Sequence, residues 1–153
     1  MIPHSTTENI YLRQVAPTPL GPIWIAHNQR GLVALALDTS REAFISAWAH
    51  IPEIMSEETT ELGDETERQL QDYLAGELES FDLPIDWSLM TPFQEQALRA
   101  TYAIPYGETR SYGEIAAQID KPGAARAVGR SEATNPIPLV IPCHRVIGAD
   151  GSL

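Results

Sequence analysis

The segment Ile141-Pro142-Cys143-His144-Arg145-Val146 holds the only cysteine of the 153-residue chain. A histidine follows this cysteine directly, and a proline, whose ring fixes the backbone angle φ, precedes it. A thiol beside an imidazole is a candidate nucleophile, because an adjacent base raises the thiolate fraction of a group that is mostly protonated at neutral pH. A lone cysteine is also often buried and inert. Adjacency alone therefore leaves both a catalytic and a structural role open for Cys143.

The residues just before this segment predict a rigid connector. Residues 135–143 read Asn-Pro-Ile-Pro-Leu-Val-Ile-Pro-Cys, with prolines at positions 136, 138 and 142. Proline donates no backbone hydrogen bond and has a fixed φ, so we expect a mostly extended segment. Such a segment would hold Cys143 at a defined place, which indicates that the position of the thiol matters.

Two short helices are predicted before the connector. Ser111-Tyr112-Gly113-Glu114 has the form of a capping box, a signal that starts a helix. After a turn with proline and glycine, a second helix rich in alanine covers residues 124–133. Short helix, tight turn and short helix are typical of a helix-turn-helix, although many such pairs bind no DNA.

The second helix carries charges that bear on DNA binding. Arg126 and Arg130 lie four residues apart on one face, where they would be available to phosphates or to a base step. Glu132 on the same helix puts a carboxylate near this face, which opposes binding to DNA.

The first half of the chain predicts a small α+β scaffold. Two apolar runs, at residues 23–26 and 32–37, flank a glycine-containing turn, which is the pattern of a β-hairpin. A helix that begins at Ser40 and ends at Pro52 follows, and then another that carries Leu70. Residues 81–87 alternate apolar and acidic side chains like an extended segment. We therefore expect an α+β fold with a scaffold domain at residues 1–87 and a helix-turn-helix domain at residues 88–153.

The net charge of −11 is distributed unevenly. Residues 1–90 contain 15 acidic and 4 basic residues, whereas residues 91–153 contain 6 of each. Only the second part could therefore meet DNA, and its affinity should be modest and sensitive to salt. No apolar run reaches the roughly 20 residues that cross a bilayer. A single cysteine forms no intrachain disulfide. We therefore expect a cytoplasmic protein, which associates with the nucleoid when it binds DNA.

Several motifs, in the same order along the chain, resemble the O6-alkylguanine-DNA alkyltransferases, also called methylated-DNA–protein-cysteine methyltransferases. The most specific is the proline-flanked Cys-His-Arg with an Asn-Pro upstream. The matching segments are Leu20-Gly21-Pro22, Leu32-Val33-Ala34-Leu35, Thr91-Pro92-Phe93-Gln94, Ile104-Pro105-Tyr106-Gly107-Glu108-Thr109, Ser111-Tyr112-Gly113, Ala125-Arg126-Ala127-Val128-Gly129, Asn135-Pro136-Ile137-Pro138 and Pro142-Cys143-His144-Arg145-Val146. The resemblance spans about residues 11–153.

The resemblance implies a ribonuclease-H-like N-terminal domain and a winged-helix-like helix-turn-helix domain. It also implies a reaction, in which the alkyl group of O6-methylguanine, and of O4-methylthymine, moves irreversibly to a cysteine of the protein, which is consumed. The expected partner is double-stranded DNA that contains O6-alkylguanine, the expected state is a monomer, and no cofactor or metal is expected.

The resemblance also implies a role for individual residues. Cys143 is the alkyl acceptor, His144 takes its proton through a water molecule, and Asn135 holds the turn before the active-site strand. Tyr112 rotates the target nucleotide, and Arg126 fills the gap that the flipped base leaves. The other expected DNA contacts are Ser111, Ala125, Ala127, Gly129 and Arg130, and Pro142 and Arg145 are expected to be structural.

The chain differs from the family after Gly148. Family members continue through a glycine-rich loop into a final helix, whose glutamate completes the Cys-His relay, and this sequence lacks both. Two alternatives therefore stay open: a protein of the same architecture that binds alkylated bases without repairing them, and a Cys-His hydrolase for small substrates, which would need an oxyanion hole and multiple turnover.

Overall fold

The computed structural model describes residues 9–47 and 54–148, and the chain divides into two compact units, residues 1–86 and 87–153. The prediction of an α+β fold is confirmed, since a sheet dominates the first unit and helices dominate the second. Within the described ranges, no helix has both the length and the apolar character that a membrane span requires.

The first unit is built on a four-stranded sheet with the strand order β3-β2-β1-β4. The strands are β1 (Asn9–Val15), β2 (Ile23–His27), β3 (Leu32–Leu37) and β4 (Ile54–Ser56), and the helices are α1 (Arg41–Ser46) and α2 (Glu61–Leu74). Strands β2 and β3 are antiparallel and form the predicted hairpin, with Ile23 opposite Leu37. The sequence pattern did not identify β1, which pairs antiparallel with β2 and parallel with β4.

Both helices of this unit begin where a side chain caps them. Ser40 accepts a hydrogen bond from the backbone of Ala43 at the start of α1, and Thr60 accepts one from Gly63 at the start of α2. The predicted end of the first helix, at Pro52, lies outside the described residues. One face of the sheet and α1 form an apolar core, which consists of Ile10, Leu12, Trp24, Ala26, Val33, Ala34 and Phe44.

The segment predicted to be extended at residues 81–87 runs beside the start of β3. The backbone N–H of Leu32 donates to the carbonyl of Pro84, and the N–H of Asp86 donates to the carbonyl of Leu32, both over 2.9 Å. Gly31 permits this approach: a Cβ atom there would lie 2.6 Å from the backbone of Pro84, and its φ of +150° is one that side-chain-bearing residues rarely adopt. The turn of the hairpin thus depends on glycine.

We expect Gly31→Ala to destabilise the protein by about 2–4 kcal/mol, because the new methyl group collides with backbone and the φ is strained. Urea unfolding would measure the change. Gly76→Ala is the matched control: its φ of +79° is also positive, but a Cβ there meets nothing within 4 Å. It should lose only the strain, about 1 kcal/mol. Equal losses in the two variants would rule out the collision with Pro84.

The second unit contains three helices, α3 (Pro92–Tyr102), α4 (Tyr112–Gln118) and α5 (Ala125–Ala133). Two short parallel strands, β5 (Arg110–Ser111) and β6 (Val146–Ile147), and two 3₁₀ turns, Trp87–Leu89 and Cys143–Arg145, complete it. The core residues are small or β-branched, which lets the helices approach closely. They are Ala97, Ala100, Ile104, Ile115, Ala116, Val128 and Val146.

The predicted capping box at the start of α4 is present. Ser111 Oγ accepts from the N–H of Glu114 over 3.0 Å, and Glu114 Oε1 accepts from the N–H of Ser111 over 2.8 Å. The chain then turns through Asp120, whose φ is +62°, and α5 packs on α4 through Ile115 and Val128, both fully buried. Complete burial of an aliphatic side chain contributes about 1.5–3 kcal/mol. These contacts set the position of α5.

Candidate active site

The connector between α5 and Cys143 is folded back on itself. The prediction of a mostly extended segment was wrong: the N–H of Ile141 donates to the carbonyl of Ile137 over 2.9 Å, and Leu139 has a φ of +71°. The prolines are compatible with this turn because each fixes only its own φ near −65° and removes one donor. Hydrogen bonds hold this turn, and not the extended proline-rich backbone that we expected.

The side chain of Asn135 braces this turn from inside. Its Oδ1 accepts from the N–H of Ile137 over 2.9 Å, and its Nδ2 donates to the carbonyl of Ile141 over 2.9 Å. The same Ile141 carbonyl accepts from the N–H of Cys143 over 2.8 Å. One carbonyl oxygen therefore links the amide of Asn135 to the backbone of the candidate nucleophile.

Cys143 begins a 3₁₀ turn and is half-buried. Pro142, which is buried, immediately precedes it, and the Pro142 carbonyl accepts from the N–H of Arg145 over 2.9 Å. The pKa of His144 is lowered from its ordinary value, chiefly because the ring is partly buried and also because the charge of Arg145 lies nearby. A lowered pKa favours the neutral ring, which has a lone pair with which to accept a proton.

Arg145 ties the turn to the end of α3. Its side chain is 9% exposed, and its Nη1 donates to the carbonyl of Ile104 over 2.8 Å. The guanidinium also lies over the ring of Tyr106, 5.5 Å from the ring centre. Directly after it, Val146 pairs with Arg110 in the β5–β6 ladder. Cys143 is thus held between an anchored turn and β6, which pairs with β5, the strand that leads into α4.

The exposed face of α5 borders a shallow surface depression of about 490 Å³ with a chiefly apolar wall. Its lining residues are Tyr112, Ala125, Arg126, Gly129, Arg130 and Ala133. A Cβ atom at Gly129 would meet nothing within 4 Å, so this side of the helix is open. Five of the residues expected to contact DNA therefore lie together.

The two remaining expected DNA contacts lie beside this depression. Ala127 lines an adjoining cavity of about 400 Å³ together with Arg130 and residues at the start of α3. Ser111 is the cap of α4, immediately before Tyr112, and its hydroxyl is engaged by Glu114. The structure therefore gives Ser111 a role in starting the helix that bears Tyr112.

Glu132 does not lie on the exposed face, so this expectation was wrong. The side chain is 7% exposed, and the hydroxyl of Thr101 on α3 lies 2.5 Å from its Oε2. The physical reason is helical periodicity, because Glu132 follows the buried Val128 by one turn and so points the same way. Its burial removes a negative charge from the side of α5 that carries Arg126 and Arg130.

Two family models together match most of this chain. One is described as the DNA binding domain of 6-O-methylguanine DNA methyltransferase and matches residues 92–153. The other is described as the ribonuclease-like domain of the same protein and matches residues 11–87. The chain belongs to the 6-O-methylguanine DNA methyltransferase family.

Individual members of the 6-O-methylguanine DNA methyltransferase family cover nearly the whole chain. The methylated-DNA–protein-cysteine methyltransferase of Mycobacterium tuberculosis is 44% identical over 137 residues, which is 89% of this chain and 78% of the relative. The crystal structure of the O6-methylguanine methyltransferase of M. tuberculosis has a TM-score of 0.76 and 39% identity, over 94% of this chain and 82% of that one. A structure of the M. tuberculosis protein OGT in complex with DNA has a TM-score of 0.74 and 38% identity, over 94% of this chain and 81% of that chain.

The family motifs pointed to residues that the structure places in the second unit, but not to all of their contact partners. The sequence did not indicate the roles of Thr101, Ile104 and Ile141. Ile104 and Ile141 act through backbone carbonyls, and Thr101 acts through a common hydroxyl group. The four-residue spacing of Thr101 from Ala97, which puts both on one side of α3, was the available signal for Thr101. The predicted departure after Gly148 falls on residues 149–153, which lie outside the described residues.

We expect Asn135→Ala to destabilise the protein by about 1–3 kcal/mol, because the N–H of Ile137 and the carbonyl of Ile141 lose their side-chain partner. Release of the turn should also expose the half-buried thiol. Since Cys143 is the only cysteine, its modification rate by an aromatic disulfide reagent reports on it alone and should rise. Thr134→Ala is the control, as Thr134 is exposed and adjacent but touches neither bond. An unchanged thiol rate in Asn135→Ala would contradict the brace.

Proposed function

We propose that this chain repairs DNA by accepting an alkyl group from O6 of guanine, and from O4 of thymine, on the sulfur of Cys143. Direct reversal of DNA damage is the function of its family, and the chain is a methylated-DNA–protein-cysteine methyltransferase by its family membership. The observation that carries the assignment of the acceptor is the doubly braced turn: Asn135, Ile141 and Arg145 hold one half-buried cysteine at the end of a helix-turn-helix.

The transfer is a single displacement at the alkyl carbon. The Cys143 thiolate attacks this carbon, a C–S bond forms, and the C–O6 bond breaks, with its electron pair passing to the guanine oxygen. A proton on N1 then restores the normal base. His144 takes the thiol proton through a water molecule, and its lowered pKa favours the neutral form of the ring, which can accept this proton.

The product on the protein is a thioether, and no second cysteine is present to displace it. Water does not cleave a thioether at a useful rate, so each chain acts once. The hydrolase alternative, which requires multiple turnover, is therefore not proposed.

The target base must leave the duplex before the thiolate can reach it. We assign this step to α5 and to the start of α4. The small side chains of Ala125, Ala127 and Gly129 allow the helix to approach the groove closely. Arg126 enters the stack and replaces the flipped base, and Tyr112 turns the phosphate of the target nucleotide.

The affinity for DNA rests on few charges. Arg126 and Arg130 are the cations on the proposed interface, and residues 91–153 carry no net charge. We assign DNA binding to residues 88–153 of a monomer, and a supporting role to the acidic residues 1–87. Few phosphate contacts imply a modest affinity that is still sensitive to salt, with a small slope of log K against log salt. We expect this repair in the cytoplasm and at the nucleoid, where the lesions lie.

Incubation with a duplex that contains one O6-methylguanine should increase the intact mass of the protein by one methyl group per chain. Cys143→Ala should gain none, because the acceptor sulfur is absent. An unmodified duplex serves as the control for each protein. If the wild type binds the lesion duplex but gains no methyl group, the protein is a binder of alkylated bases and the proposed transfer is wrong.

Arg126→Ala should slow methyl transfer from duplex DNA by about tenfold or more, because the opened stack then stays unfilled. Transfer from a single-stranded oligonucleotide with the same lesion should change far less, since no base pair has to open. Arg130→Ala is the matched control on the same helix. It should weaken binding to both substrates alike and reduce the slope of log K against log salt by about 1. Equal effects of Arg126→Ala on both substrates would exclude the role in base flipping.

A further inference from the structure

Glu132 is a buried carboxyl group that the alkyl-transfer chemistry does not use. Its side chain is 7% exposed, although glutamate is almost never buried without a partner. Oε1 is buried and has no hydrogen-bond partner within the described part of the chain. Oε2 contacts only the hydroxyl of Thr101. Such a group destabilises a core strongly when it is ionised and far less when it is neutral.

The hydrogen bonds around Thr101 identify the protonation state. Thr101 Oγ1 lies 3.0 Å from the carbonyl oxygen of Ala97 and 2.5 Å from Oε2 of Glu132. A hydroxyl has one proton, so it satisfies only one of two acceptors. If Glu132 is protonated, its Oε2–H donates to Thr101 Oγ1, and the Thr101 hydroxyl donates to Ala97. Both contacts are then hydrogen bonds, which an ionised Glu132 would not permit.

The helices that pack on α5 supply no charge that would favour an ionised Glu132. The titratable groups on α3 and α4 are Glu95, Arg99, Tyr102, Tyr112 and Glu114. Among them, Glu95 pairs with Arg99 at the surface, and Glu114 caps α4. Burial alone raises the pKa of Glu132, to about 7, and only the Thr101 hydroxyl opposes this.

The flanking segments supply none either. On α5 itself, Arg126 and Arg130 are exposed and line the surface depression. Beyond the connector, Arg145 donates to the carbonyl of Ile104, and the pKa of His144 responds to burial and to Arg145. Lys121, on the turn before α5, bonds to Gln96, and no charge of the described residues contributes to the pKa of Glu132.

We propose that Glu132 is a pH-sensitive positioning residue: when protonated it ties α5 to Thr101 of α3, and its ionisation releases this tie and weakens DNA binding. The contact acts on the helix that carries Arg126 and Arg130, so the effect of Glu132 ionisation on DNA binding rests on the function proposed above. Its effect on the stability of the fold does not depend on that function. A rise in pH from about 4.5 to about 7 would thus lower the stability of the second unit, and ionisation of the folded protein around pH 7 would weaken its hold on DNA.

The direction follows from proton linkage. The pKa of Glu132 is raised from 4.5 in the unfolded chain to about 7 in the folded protein. The folded state therefore keeps a proton that the unfolded state has lost, and stability decreases with rising pH between these two values. Below about pH 4.5 the contribution is fully present, and above about pH 7 its loss is complete. Each pH unit in between changes the unfolding equilibrium constant tenfold.

The test compares the wild type with Glu132→Gln, whose amide N–H still donates to Thr101 Oγ1 but does not titrate. Urea unfolding from pH 5 to pH 8.5 would give the ratio of their unfolding constants. We expect this ratio to rise on the order of a hundredfold up to about pH 7 and then level off. Glu95→Gln is the control, since it removes a surface carboxylate from α3, and its ratio should stay flat. A ratio for Glu132→Gln that does not change with pH would overturn the proposal.

A second measurement keeps the test valid if Glu132→Gln does not fold. The infrared carbonyl stretch of a protonated carboxyl group should be present in the wild type at pH 6, fall to about half its intensity near pH 7 and disappear at higher pH. Its absence at pH 6 would also overturn the proposal.

Binding to a lesion duplex is measured over the same pH range. It should weaken with rising pH in the wild type and in Glu95→Gln, but less in Glu132→Gln. If no variant binds at any pH, the proposed function fails, while the unfolding and infrared data still decide the role of Glu132.

Discussion

The second unit depends on the carbonyl oxygen of Ile141, which accepts from the side chain of Asn135 and from the backbone of Cys143. Each bond contributes only about 1 kcal/mol. Their value lies in geometry, because the two donors fix one oxygen, and this oxygen fixes the backbone of the proposed nucleophile, Cys143. A displacement at carbon requires the sulfur to approach in line, so a thiol on a mobile loop would spend little time in a reactive position. Arg145 secures the other side of the same turn.

Helix α5 performs two tasks with two opposite faces. One face packs through Val128 on α4 and the other presents Arg126 and Arg130 in a shallow depression. The alanines and glycine of α5 leave the helix with few large side chains to anchor it. The contact between Glu132 and Thr101 adds a polar attachment to α3.

Local sequence signals predicted most elements of the fold. The cap at Ser111, the glycine turn before Leu32 and the helical spacing of the second unit act over a few residues, so they can be read without knowledge of the fold. Strands β1 and β4 could not be predicted in this way, since their parallel pairing joins residues 9–11 to residues 54–56. Long-range pairing depends on which edges of the sheet remain free, which no local pattern encodes.

The sequence by itself determined the chemistry: a single cysteine with an adjacent histidine, an Asn-Pro upstream, and a capped helix pair, all in the order of the family. Only the tertiary structure decided the direction in which side chains point. Glu132 was expected beside Arg126, and instead it contacts Thr101, which lies 31 positions earlier in the chain. The connector was expected to be extended, and it closes into a turn around Asn135. Residue identity sets what a group can do, but the packing of helices sets whether it faces water or another helix, and therefore whether it carries a charge.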